Sequence, residues 1–166
     1  MIDETENVYQ DNYIIRKAVL EDIDALVALR REHFDFEVNE LHNYTLDDGY
    51  FVRDIAKEDI KYFITKAITL VAVKDGKIVG YILGEIEPKR SWLKEQYAEI
   101  ISIFVSKEHR NNKVATRLLY SFRDELIKNH NIFNIQVETL SNNEIAKKFY
   151  EKEKFNEISK KYYFNI

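Results

Sequence analysis

The chain has 166 residues, of which 45% are hydrophobic and 33% are charged, as is typical of one folded globular domain rather than a disordered or membrane-spanning chain. It contains no cysteine, which excludes disulfides, thiolate metal sites and every mechanism with a cysteine nucleophile. The formal net charge of −4 gives no general attraction to nucleic acid or to an anionic membrane, so neither is expected as a partner. The polar residues 1–12 lack the basic start and apolar run of a signal peptide, so we expect a cytoplasmic location.

The first third of the chain predicts one strand followed by two helices. Residues 13–18 have the pattern of a strand. Apolar residues recur at helical spacing over 20–29, and three acids in the first turn favour a helix N-terminus there. Residues 33–52 form a long polar and aromatic connection, which either is functional or contains a short helix. A second helix is predicted over 54–67.

The clearest local signal is a hairpin, in which Asp75 and Gly76 form a tight turn between the apolar runs 70–73 and 78–86. The later predicted elements are a strand over 98–105, a helix over 114–127, a strand over 132–139, a helix over 143–153 and a strand over 161–164. Two helices before the hairpin and an alternation of strand and helix after it predict one mixed α/β domain over residues 13–166.

The segment between the fourth strand and the next helix has the features of an anion site. The first N–H groups of a helix lack partners, and the helix dipole is positive there. Arg110 and Lys113 add charge, Thr116 adds a hydroxyl, and the small Ala115 allows a ligand to approach the backbone. The same features fit an ordinary basic loop, so the residues alone leave both interpretations open.

Two motifs resemble the GNAT (general N-acetyltransferase) superfamily. Arg110 and Ala115 match its acetyl-CoA signature, Gln/Arg-x-x-Gly-x-Gly/Ala, in which Lys113 replaces the first glycine. A second block resembles Asn-x-x-Ala-x-x-Leu/Phe-Tyr-x-x-x-Gly-Phe, with Lys154 in place of the glycine. The matching residues of this block are Asn143, Ala146, Phe149, Tyr150 and Phe155. If the backbone at Lys113 requires a positive φ, a lysine there costs about 1 kcal/mol or more.

The resemblance implies a single-domain mixed sheet of six to seven strands, flanked by about four helices, with the fourth and fifth strands splayed apart. It implies that the pantetheine arm of acetyl-CoA lies between these strands, that the pyrophosphate lies on residues 110–116, and that Asn143 contacts the arm. The implied cofactor-binding residues are Ile103, Phe104, Val105, Arg110, Asn111, Asn112, Lys113, Val114, Ala115, Thr116, Asn143 and Phe149.

The resemblance also implies two catalytic side chains. Tyr150 is placed near the thioester sulfur as a general acid, although a core aromatic residue would have the same spacing. Glu99 resembles the general-base glutamate of histone-type members, although an ion-paired strand glutamate is an alternative. Because the chain has no cysteine, direct attack of an amine in a ternary complex is the simple route. A backbone N–H near Ile103 or Val105 would polarise the thioester carbonyl.

The expected acceptor is a small-molecule amine or a peptide N-terminus. Acids and aromatic rings within residues 33–52 suit a cationic amine, or they only make a loop soluble. Ser102 interrupts an apolar strand, so it could face the cleft, but the interpretation adopted is a hydrogen-bonded core residue. The four histidines show no metal-ligand spacing, so no metal is expected. The resemblance implies a homodimer. The alternative function is a catalytically silent CoA-binding or sensing module, which the two missing glycines favour.

Overall fold

The computed structural model describes residues 12–43, 46–47, 49–92 and 94–162. The strands are β1 (Ile14–Lys17), β2 (Ile68–Lys74), β3 (Lys77–Ile86), β4 (Ala98–Val105) and β5 (Ile135–Val137). The helices are α1 (Ile23–Asn39), α2 (Gly49–Val52), α3 (Ile55–Lys66), α4 (Val114–Glu125) and α5 (Glu144–Lys152). Short 3-10 turns lie at Leu20–Asp22 and Lys107–His109, and a π-helical turn at Leu126–His130 continues α4.

The five strands form one mixed sheet in the order β1-β2-β3-β4-β5. All neighbours are antiparallel except β4 and β5, which are parallel. The mixed α/β class is therefore confirmed, with five strands in the described part of the chain where six to seven were expected. Of the strand predicted over 161–164, residues 161–162 lie outside any strand, and residues 163–164 lie outside the described residues. Nowhere in the described ranges is a helix long and apolar enough to cross a membrane.

The two faces of the sheet carry separate apolar cores. Leu118 and Phe122 of α4 pack with Ile82 and Ile100 on one face. On the other face, Leu26 and Leu29 of α1 pack with residues that include Tyr81, Leu83 and Phe104, and this face is called the α1 face below. The alternation of side chains along each strand therefore decides which residues of β4 face α1.

The predicted connection over 33–52 was wrong in its first part, because residues 33–39 continue α1. His33, Phe36 and Glu37 recur at the spacing of one helix face, but two of them are polar. The helix therefore continues without the apolar pattern from which it would be predicted. Residues 49–52 form the short helix α2, which was one of the two expected alternatives.

β4 has two irregularities that shape its surroundings. A register shift leaves Ile101 without a partner on β3, because Leu83 pairs with Ser102 whereas Gly84 pairs with Ile100. Such a bulge bends the strand locally. β4 pairs with β5 only from Ala98 to Ile100 and then continues to Val105, so the two strands separate beyond Ile100, as the resemblance implied.

Candidate functional site

The edge of β4 that faces away from β3 is not paired with β5 beyond Ile100. Ser106 donates its backbone N–H to Val79 on β3 at 3.0 Å, so the preceding residue, Val105, directs its backbone groups to the opposite side. By the same alternation Ile103 also faces the gap between β4 and β5. Of the three β4 residues predicted to bind the cofactor, Ile103 and Val105 present backbone groups to this gap.

Phe104 has a different orientation from its two neighbours. Its backbone lies opposite Tyr81 of β3, and its buried side chain faces α1, where its ring stacks on His33 with 4.6 Å between the ring centroids. The resemblance implied that Phe104 contacts the pantetheine arm, but its side chain lies on the α1 face rather than in the gap.

The loop before α4 has the conformation that the glycine signature anticipates. Lys113 has φ 57° and Asn111 has φ 65°, both in the left-handed region that favours glycine. The first hydrogen bond of α4 runs from Arg117 N–H to Lys113 O at 3.0 Å, which leaves the N–H groups of residues 114–116 directed out of the helix end. The backbone keeps the shape of an anion site although the glycine is absent, at a strain of about 1 kcal/mol or more.

Two side chains predicted for the pyrophosphate loop are bonded elsewhere. Arg110 donates from Nε to Val105 O at 2.9 Å, and its guanidinium lies 5.2 Å from the ring of Phe36 and 5.3 Å from that of Phe104. Asn112 donates from Nδ2 to the hydroxyl of Tyr13 at 3.3 Å. Arg110 thus secures the end of β4 against α1 instead of extending towards the N-terminus of α4.

Thr116, in the first turn of α4, donates its hydroxyl to the carboxylate of Glu153 at 2.7 Å. The same carboxylate raises the pKa of Tyr120, one turn later in α4. The Glu153 carboxylate connects the end of α5 to the start of α4. The Thr116 hydroxyl, which was predicted to face a phosphate, therefore donates to Glu153 instead.

Helix α5 begins and ends with the two signature residues of the second motif. Asn143 caps the helix, since its Oδ1 accepts the backbone N–H of Ala146 at 3.0 Å. At the other end, Lys154 has φ 68° and donates to Glu151 O at 3.1 Å, and Phe155 donates to Tyr150 O at 2.9 Å. These two bonds form a Schellman motif, whose left-handed position is normally glycine. Lys154 therefore occupies the left-handed position at the C-terminal end of α5.

Tyr150 is only 9% exposed and packs beside Phe149 and Phe155, with 5.3 Å between its ring centroid and each of theirs. Burial raises the pKa of its hydroxyl, so the phenol keeps its proton at neutral pH. In the described part of the chain this hydroxyl has no hydrogen-bond partner, which leaves it available to a bound molecule. Phe149 contributes to the packing of the ring rather than to a polar contact.

Glu99 lies on β4 opposite Glu85 of β3 and beside Gln136 of β5. Partial burial raises the pKa of Glu99, and the nearby carboxylates of Glu87 and Glu138 raise it further. A carboxylate with a raised pKa is a better proton acceptor than an ordinary glutamate. The predicted base is thus half-buried in a negatively charged environment.

One polar cluster of the α1 face was not predicted from the sequence. His33 Nδ1 lies 3.0 Å from the Tyr81 hydroxyl and 3.2 Å from Ser102 Oγ, and the two hydroxyls are 3.1 Å apart. His33 Nε2 lies 3.4 Å from a carboxylate oxygen of Glu37. Ser102 was predicted to be a hydrogen-bonded core residue, and it is. The only signal in the sequence was a serine in an apolar strand, since its partners lie 21 and 69 residues away.

Within the ranges that the structure describes, no group of three or more His, Asp or Glu side chains is arranged to hold a metal ion. The donor set instead fits acetyl-CoA, because the backbone groups of Ile103 and the N–H of Val105 suit an amide-containing arm, whereas the N–H groups of residues 114–116 at the helix end suit a pyrophosphate. The Val105 carbonyl already accepts from Arg110.

Comparisons with known proteins identify a family and a fold. The model of the acetyltransferase (GNAT) family matches residues 26–155. No curated protein matches the sequence. A crystal structure of a possible acetyltransferase from Clostridium difficile is 22% identical with a TM-score of 0.71, and the match covers 93% of this chain and 97% of that one.

Two further solved structures are similar over most of their length. An aminoglycoside 6'-N-acetyltransferase from Acinetobacter baumannii is 18% identical with a TM-score of 0.70, covering 93% of this chain and 97% of that one. The PaiA N-acetyltransferase of Thermoplasma acidophilum, solved in complex with coenzyme A, is 19% identical with a TM-score of 0.72, covering 87% of this chain and 89% of that one. At these identities the likeness shows a common fold.

Proposed function

Because the chain belongs to the acetyltransferase (GNAT) family, we propose that it is an N-acetyltransferase that moves the acetyl group of acetyl-CoA to a primary amine by direct attack. The observation that carries this proposal is the edge of β4 beyond Ile100, which β5 leaves unpaired, next to the N-terminus of α4. Acetyl-CoA supplies the activated acetyl thioester, and the protein supplies its position and the routes for protons.

We assign the binding of the pantetheine arm to the backbone groups of Ile103 and Val105, supported by the Asn143 carboxamide. The pyrophosphate is assigned to the N–H groups of residues 114–116, where the positive end of the α4 dipole favours an anion. Arg110 acts on this site through Val105, since its Nε fixes the carbonyl at the end of β4.

Glu99 is proposed as the general base, because its raised pKa suits the removal of one proton from an ammonium ion. Tyr150 is proposed as the general acid that protonates the leaving sulfur, since its hydroxyl stays protonated and has no partner in the described residues. A backbone N–H at the β4 edge stabilises the negative charge that develops on the thioester oxygen.

The acceptor is proposed to be a cationic small-molecule amine or a peptide N-terminus. Three carboxylates, those of Glu85, Glu87 and Glu138, lie around the proposed base, and the ammonium of Lys161 offsets them in part. The acids of the α1–α2 region are less available, because Glu37 lies against His33 and Asp47 pairs with Arg53 at 2.7 Å. The attraction for a cation is therefore assigned to the strands rather than to the loop.

One observation favours the alternative of a silent CoA-binding module. The Glu153 carboxylate on Thr116 places a negative charge beside the proposed pyrophosphate site, and the strained Lys113 stands where glycine is usual. Neither feature affects Glu99 or Tyr150, so the enzyme is the better-supported proposal. A homodimer and a cytoplasmic location stay predictions from the resemblance and the composition.

The test is release of free thiol from acetyl-CoA with a panel of a polyamine, an aminoglycoside and a short peptide. Thiol release with at least one amine, and a product heavier by one acetyl group, would support the enzyme. Binding of CoA without thiol release from any amine would support the silent module instead.

A further inference from the structure

A continuous line of polar side chains runs from β4 to the protein surface beneath α1. It connects Ser102 to His33 Nδ1 at 3.2 Å, and His33 Nε2 to Glu37 at 3.4 Å. Ser102 is buried, with an exposed fraction of 7%, whereas the side chain of Glu37 is 26% exposed. One end of this line is thus inside the α1 face, and the other meets water.

The hydrogen positions follow from the chemistry of the partners. An ionised carboxylate only accepts hydrogen bonds, so we assign the proton of His33 to Nε2, which leaves Nδ1 as an acceptor. Ser102 then donates to Nδ1, and Tyr81 donates to Ser102 Oγ across 3.1 Å. One lone pair of Ser102 is left for a donor on the α1 face.

The surroundings of His33 keep the imidazole neutral. Burial, and then the positive charges of Arg30 and Arg110, lower the pKa of His33 to about 3. Its ring also stacks on Phe104. The opposing charge is the Glu37 carboxylate of the same helix. A neutral imidazole accepts a proton on one nitrogen while it releases one from the other, so His33 has the state that proton transfer needs.

Ser102 and Glu99 lie on the same face of β4, one on each side of the bulge at Ile101. Their partners on β3, Leu83 and Glu85, are two residues apart, which corresponds to about 7 Å along the strand. An amine between Ser102 and Glu99 would meet a hydroxyl on one side and a carboxylate on the other.

We propose that Ser102, His33 and Glu37 form a proton relay that removes the second of the two protons lost by the acceptor nitrogen. This inference rests on the proposed N-acetyltransferase function. Ser102 is the catalytic residue, because it touches the acceptor, whereas His33 and Glu37 act through it.

The acceptor ammonium loses two protons during the reaction, and the leaving sulfur gains one. Glu99 takes the first proton from the ammonium ion, and the neutral amine attacks the thioester carbon. As the N–C bond forms and the C–S bond breaks, the second N–H proton passes to Ser102 Oγ. The Ser102 proton moves to His33 Nδ1, and the Nε2 proton moves to Glu37 and then to water. The sulfur takes the Tyr150 proton, which a proton from water replaces, and Glu99 returns its proton to water, so one proton is released for each acetyl group transferred.

The kinetic test compares Ser102→Ala and His33→Gln with the wild type. The glutamine fills much of the imidazole space but does not transfer a proton, so both variants should lower kcat by about 100-fold. The KM for acetyl-CoA should not change, and the loss should be similar at every pH. The dependence of kcat on the deuterium fraction of the solvent should be curved in the wild type and linear in His33→Gln.

Ser106→Ala is the matched control. Ser106 also lies at the end of β4 and hydrogen-bonds α1, through Glu32 at 2.8 Å, but it is outside the relay. It should keep kcat within about threefold of the wild type. The relay is overturned if His33→Gln keeps wild-type kcat while the wild type is active, or if Ser106→Ala loses as much as Ser102→Ala.

A second measurement does not depend on turnover. In protein with ¹⁵N-labelled histidine, the ring signals that disappear in His33→Gln should belong to a neutral imidazole protonated on Nε2, without titration near the usual pKa of 6.5. Titration near that value, or a proton on Nδ1, would overturn the relay alone. A wild type that releases no thiol with any amine would refute the N-acetyltransferase proposal, and with it the relay, even if His33 shows the expected tautomer.

Discussion

The lysines that replace the two signature glycines make a quantitative prediction about stability. Lys154 has a left-handed backbone with φ 68°, whereas Lys148 lies in the middle of the same helix and is exposed. The change Lys154→Gly removes a left-handed strain of about 1–2 kcal/mol and adds about 0.4–1 kcal/mol of unfolded-chain entropy. We expect a net gain of about 0.5–1 kcal/mol in the free energy of unfolding.

The matched change Lys148→Gly should have the opposite sign. At a helix interior, glycine is unfavourable by about 0.7 kcal/mol relative to lysine. Both changes remove one lysine side chain, so the loss of its charge and atoms nearly cancels when the two variants are compared. Their midpoints of thermal unfolding should differ by about 4 °C, with Lys154→Gly above the wild type.

Thermal and urea unfolding, followed by circular dichroism, measure both variants. Equal destabilisation by the two changes would refute the left-handed assignment at Lys154. Lys113→Gly should behave like Lys154→Gly, since Lys113 has φ 57°.

Three further predictions concern the sheet and the proposed catalytic groups. Glu99→Gln should remove the fall in kcat at low pH: the wild-type midpoint should lie above the ordinary glutamate value of 4.5, because burial and neighbouring carboxylates raise the pKa, and an unchanged pH–rate profile would exclude Glu99 as the base. Tyr150→Phe should lower kcat at least tenfold, within the usual range for a general acid, and should leave the Kd of CoA, measured by calorimetry, within a few-fold, because the ring packing is kept; equal turnover would exclude Tyr150 as the acid. Gly84→Ala should destabilise the fold by about 1–3 kcal/mol in urea unfolding, because its Cβ would lie 2.5 Å from Glu99 O and 2.6 Å from Phe122 Cζ; wild-type stability would show that the bulge yields easily.

The elements defined by local signals were predicted well from the sequence. The hairpin of β2 and β3 has its turn at Asp75 and Gly76, where the sequence placed it, because turn chemistry and flanking apolar runs are both local. The strand predicted over 132–139 is only Ile135–Val137, since a strand needs a partner and β4 separates from β5 beyond this point. The pattern of one strand does not show where its neighbour leaves it.

The candidate site divides in the same way. The motif residues Asn143, Lys113 and Lys154 have the conformations that their motifs anticipate, because capping and left-handed positions are properties of a few consecutive residues. The orientation of Arg110 and the contact between Ser102 and His33 depend on how α1 lies on the sheet, which no local pattern records. These were the parts that the sequence did not predict.

The central claim is that this chain holds acetyl-CoA at the N-terminus of α4 and along β4. Its most direct test is calorimetric titration of the wild type and of Ala115→Asp with acetyl-CoA, with Ala115→Asn as the neutral control. An aspartate in the first turn of α4 stabilises the helix through its dipole, but its negative charge repels a pyrophosphate. We predict micromolar binding by the wild type and by Ala115→Asn, and at least tenfold weaker binding by Ala115→Asp without loss of stability. No binding by the wild type, or equal binding by all three proteins, would contradict the account.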